Sequence, residues 1–106
     1  MYFRYEIPTN VVNIVKAICA DYDRRIQLLK SDNIDSGCRA EFLYINKAME
    51  SALEDVEIGI RKIMLCDIQH NRGYEHSLSS AFIAKNTYYA RKRKLIYDIA
   101  KNMKLI

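Results

Sequence analysis

Apolar residues recur along most of this chain at alternating steps of three and four, and that spacing allows little other than helices. Val11, Val15, Ile18, Tyr22, Ile26 and Leu29 draw one stripe, predicting a single helix of about 20 residues with Asp21, Arg24 and Arg25 off the stripe. Phe42, Ile45, Met49, Ala52 and Val56 draw a second, and Ile60, Ile63, Met64 and Ile68 a third. Punctuation is scarce: three glycines and one proline in 106 residues leave little material for hairpin turns. The expected fold is all-α, a single helical domain. An antiparallel helical hairpin with a coiled-coil-like seam fills about residues 9–56, and a helix-turn-helix part follows over about 57–106.

Breaks fall where turn-forming residues cluster. Pro8-Thr9-Asn10 is a helix-start signal, with Thr9 or Asn10 as the cap. Ser31 to Gly37 reads as the loop between the first two helices. Near Gly59 the second helix ends, bends or continues, since one glycine costs about 1 kcal/mol in a helix without forbidding it. Asn71-Arg72-Gly73 closes the next helix, with Gly73 as the left-handed residue. Residues 74–84 hold one short helix with Leu78, Ala81 and Phe82 inward, and Asn86 or Thr87 caps the last. The opening "MYFRYEI" alternates loosely, as a short arm or strand would.

Charge divides the chain. Residues 85–106 carry seven Lys/Arg against one acid, Asp98; the rest carries ten basic residues against twelve acidic. A basic end on a mildly acidic body is the footprint of a nucleic-acid binder, and equally of a solvated terminal helix. In the last helix Tyr88, Leu95, Ile99 and Met103 share one face, so Tyr88 belongs to the core and Tyr89 to the surface. Arg91, Lys92, Arg93 and Lys94 span little more than one turn, so about two of the four can face one partner. A short helix, a tight connection and a helix with basic, aromatic early turns is the layout of a helix-turn-helix. Its second helix enters the major groove by its N-terminal turns. Candidate DNA contacts are Lys85, Thr87, Tyr89, Arg91, Lys92, Arg93 and Lys94: cations for phosphates and guanine edges, hydroxyls for phosphate oxygens. Capping is the competing duty of Thr87.

These residues resemble a family. Thr87-Tyr88-Tyr89, then Arg91-Lys92-Arg93-Lys94, then Leu95 to Ala100, with Ile83 four residues before Thr87, are similar to the last helix of small phage and prophage transcriptional regulators of the ArpU/RinA type. The C-terminal half of that family is like region 4 of sigma factors. Residues 45–68 look like the helix pair preceding its motif, and the resemblance covers about residues 45–106. It implies sequence-specific binding of double-stranded DNA in transcription regulation, with the recognition helix starting near Thr87.

Other chemistry finds little footing. Cys19, Cys38 and Cys66 are an odd set without CxxC spacing, which suits reduced thiols in a cytoplasmic protein. No apolar run approaches the ~18 residues of a membrane span, and no signal peptide opens the sequence. Cys66 and His70 stand at i and i+4, a spacing that can share a metal. No second ligand pair is visible, so no metal and no cofactor is expected and Cys66 reads as a core thiol. Glu54, Asp55 and Glu57 read as surface charge. No phosphate loop or nucleophile signature points to an enzyme. The rival to the DNA-binding reading is a helical adaptor docking on RNA polymerase or another phage protein. A DNA-packaging or replication accessory protein would use the same module. The long first stripe also allows a homodimer through the N-terminal helices.

Overall fold

The computed structural model describes residues 6–106, so the arm or strand expected at the start of the chain lies mostly outside the described residues. Five α-helices follow: α1 Thr9–Ala20, α2 Tyr22–Leu29, α3 Ser36–Leu53, α4 Ile58–Gln69 and α5 Lys85–Asn102, with two 3₁₀ turns, Tyr74–His76 and Leu78–Ala81, between α4 and α5. Every regular element among the described residues is helical. None of these helices is long and apolar enough to cross a membrane.

The first stripe holds for three turns and then fails. Val11, Val15 and Cys19 are buried at steps of four, each valine contributing about 1.5–3 kcal/mol by leaving water. At Asp21 the backbone turns to φ −91° and ψ 1°, and the predicted single helix becomes two. The far side of the bend buries Arg25, not Ile26, which is only half-buried. Asn46 of α3 explains the inversion. Its Oδ1 accepts from Arg25 Nε at 2.7 Å, and the Ile18 carbonyl takes Nη1 at 2.9 Å. A buried guanidinium needs such acceptors, and these outweigh one more aliphatic contact. Thr9 and Asn10 are the first two helical residues, Pro8 holds the cap position, and no side chain caps α1.

The bend redirects the hairpin. Of the helices before it, α3 packs on α2, and its main packing partner is α5, while α1 lies across α4 and α5. α3 opens on a side-chain cap, the Asp35 carboxylate accepting from the Cys38 N–H at 2.9 Å, and that bond holds its carboxyl below its usual range. α3 stops at Leu53 and α4 begins at Ile58, so Gly59 lies exposed in a first turn. Met49, Ala52, Ile60, Met64, Ile68, Leu95 and Ile99 form one core with the α1 residues.

The end of α4 uses Asn71, at φ 51°, where Gly73 was expected as the left-handed residue. The Asn71 N–H donates to the Ile68 carbonyl and the Arg72 N–H to that of Asp67, the paired bonds of a Schellman cap. Asparagine tolerates this backbone because its short polar side chain supports it locally. Beyond it the expected short helix is replaced by the two 3₁₀ turns. Leu78 and Phe82 are 70% and 68% exposed and Ala81 is exposed, whereas Ser77 and Ser79 are buried.

Candidate nucleic-acid interface

Ser77 points inward because a carboxylate waits there. Asp67 of α4 is fully buried. It accepts from the Ser77 hydroxyl and, at 2.9 Å, from the Tyr88 hydroxyl, and its other oxygen faces the Arg72 guanidinium at 3.7 Å. Ser77 Oγ also accepts the Ser79 N–H at 2.9 Å, closing the second 3₁₀ turn. Burial and the Asp67 carboxylate together hold the Tyr88 phenol well above its ordinary range. Tyr88 is thus a core residue, as its face predicted, and it locks the start of α5 to the end of α4.

α5 begins at Lys85, two residues before the expected Thr87. Ala84 holds its cap position, and Asn86 and Thr87 lie inside the first turn without capping it. Tyr89 is 40% exposed. Its ring meets Tyr88 edge to face at 5.0 Å, and its hydroxyl accepts the Tyr74 N–H at 3.2 Å.

The predicted cations divide into two groups. Lys85 pairs with Glu75 at 2.8 Å, Arg91 with Glu57 at 2.9 Å, and Lys94 with Asp98 at 2.7 Å and Asp55 at 3.5 Å. Glu57 and Asp55, read from sequence as plain surface charge, therefore neutralise α5 across the fold. Lys92 and Arg93 differ. The Lys92 ammonium donates to the Arg72 carbonyl at 2.8 Å and sits 5.6 Å from the Tyr88 ring centroid. Burial, then the nearby charge of Lys16, press its pKa below the ordinary lysine value. Arg93 is exposed and makes no ion pair with another described residue.

Sequence reasoning passed over Lys16. It lies on α1, and its ammonium donates to Asn71 Oδ1 at 3.0 Å, beside the carbonyl that holds Lys92. Lys16, Lys92 and Arg93 line an open groove of about 300 Å³ between α1 and α5, together with Ile7, Val12, Tyr89 and Ile96. No spacing rule links residue 16 to residue 92. The only sequence signal was a lysine among the apolar residues of α1.

Cys66 is half-buried instead of enclosed, and its sulfur lies 3.6 Å from His70 Nδ1. Among the described residues no group of three or more His, Cys, Asp or Glu side chains converges on a point. The chain matches no family model, and no curated protein or solved structure matches it significantly.

Proposed function

We propose that the protein binds duplex DNA through α5 and acts as a transcriptional regulator of the phage or prophage type. The observation that carries this reading is the pair Lys92 and Arg93, adjacent cations on α5 that make no ion pair with a carboxylate among the described residues, beside the half-exposed Tyr89. Phosphates are the partners such cations fit. The helix-turn-helix form of the reading takes the second 3₁₀ turn and residues 82–84 as the lead into a recognition helix that starts at Lys85. The regulator assignment rests on the resemblance of Thr87 to Ala100 to the ArpU/RinA-type helix. Arg91 and Lys94 join the interface in this reading only by exchanging Glu57, Asp55 and Asp98 for phosphate.

The test is selection of duplexes from a random-sequence library at about 150 mM salt, where the screening length is about 8 Å. An enriched motif, lost in the Arg93→Ala protein whose melting temperature is unchanged, supports a sequence-reading helix. Absence of enrichment removes sequence-specific recognition by the protein alone. The second reading, an adaptor for RNA polymerase or another protein, is favoured by the exposed Leu78 and Phe82, side chains a motif helix would bury.

A further inference from the structure

We propose that the groove between α1 and α5 is a phosphate-binding site and that Lys16 of α1 is part of it. The inference rests on the DNA-binding reading in taking the occupant to be a backbone phosphate of the duplex.

The argument begins with how the cations are held. Lys85, Arg91 and Lys94 each have a carboxylate. Lys16 and Lys92 are instead positioned by neutral acceptors, the Asn71 amide oxygen and the Arg72 carbonyl, which are adjacent residues of the α4 cap. The cap aims both ammonium groups without cancelling their charge. Arg93 adds a third charge on the same groove, and among the described residues no carboxylate lines it. The nearest acid acting on Lys92 is the buried Asp67, already engaged by Ser77, Tyr88 and Arg72.

The like charges of Lys16 and Lys92 repel one another, and the half-buried Lys92 bears a desolvation cost besides. A phosphate relieves both. It supplies several acceptor oxygens to ammonium and guanidinium donors, and the apolar lining of Ile7, Val12 and Ile96 suits the sugar beside it. Two lysines steadying the carbonyl end of α4 would explain Lys16 and Lys92, but not Arg93, which makes no hydrogen bond or ion pair with that cap.

The experiment compares wild type with Lys16→Gln and Arg93→Gln on the selected duplex across a salt series. Lys30→Gln, which removes one charge at the end of α2, is the control. The site predicts that each groove substitution lowers the steepness of log affinity against log salt by about one phosphate contact, with Lys30→Gln unchanged. A second arm follows the Val12 and Ile96 methyl resonances during titration with inorganic pyrophosphate. They shift in wild type, and the shift is lost in the Lys16→Gln, Arg93→Gln double variant. Unchanged salt dependence in both groove variants, with wild type binding DNA, overturns the site and leaves the DNA reading standing. Pyrophosphate shifts that depend on Lys16 and Arg93, without DNA binding by wild type, do the reverse. Silence in both arms overturns both.

Discussion

The Tyr88 hydroxyl donates to the Asp67 carboxylate at 2.9 Å across 21 residues, joining the start of α5 to the end of α4 inside the core. Tyr88→Phe keeps the ring and removes the donor, leaving a fully buried carboxylate with one bond fewer. Such a loss costs about 1–3 kcal/mol. Urea unfolding should show a lower midpoint with an unchanged slope, and an unaltered midpoint would mean that Ser77 and Arg72 suffice for Asp67.

Cys19 makes stability sensitive to alkali. Burial lifts its thiol from an ordinary 9.0 to about 12 in the folded protein. Its stabilising contribution is therefore complete below about pH 9 and is lost as pH rises toward 12, because the unfolded chain gives up that proton first. Melting temperature should decline above pH 9, and Cys19→Val should flatten the decline. In native protein at pH 8, alkylation should modify the exposed Cys38 and spare Cys19.

The Glu57–Arg91 pair is exposed on both sides. Glu57→Gln should change stability by less than about 1 kcal/mol and release a cation on α5. Under the DNA-binding reading, duplex affinity at low salt then rises severalfold, measurable by fluorescence anisotropy. Unaltered affinity would place Arg91 outside the interface.

Lys104 caps α5 at φ 60°, a backbone conformation that glycine adopts without strain. The Leu105 N–H still reaches the Ala100 carbonyl at 2.8 Å. Lys104→Gly should raise stability by about 0.5–1 kcal/mol, the relieved strain being partly offset by a freer unfolded chain. A thermal scan decides the sign.

Leu78 and Phe82, both exposed, should tolerate serine with changes within about 0.5 kcal/mol. A larger loss in either variant would show that the side chain is covered in solution. Loss of partner binding without loss of stability would favour the adaptor reading.

What the sequence by itself determined was periodic. Three-four spacing marked α1, α3 and α4, and the face shared with Leu95 placed Tyr88 inside, because a helix turns by a constant angle and its apolar stripe states which side leaves water. Tertiary structure decided what depends on a partner far along the chain. Arg25 is buried because Asn46 receives it, so the first stripe breaks at Asp21. Ser77 turns inward because Asp67 needs donors, Ser79 follows with its N–H on Ser77 Oγ, and Leu78 and Phe82 are left outward. The cations of the last helix read alike in sequence. Folding separates them by bringing Glu57, Asp55 and Glu75 to some, and Lys16 with the neutral acceptors of the α4 cap to the others. Charge pairing acts through space over a few ångströms, and local periodicity carries no record of it.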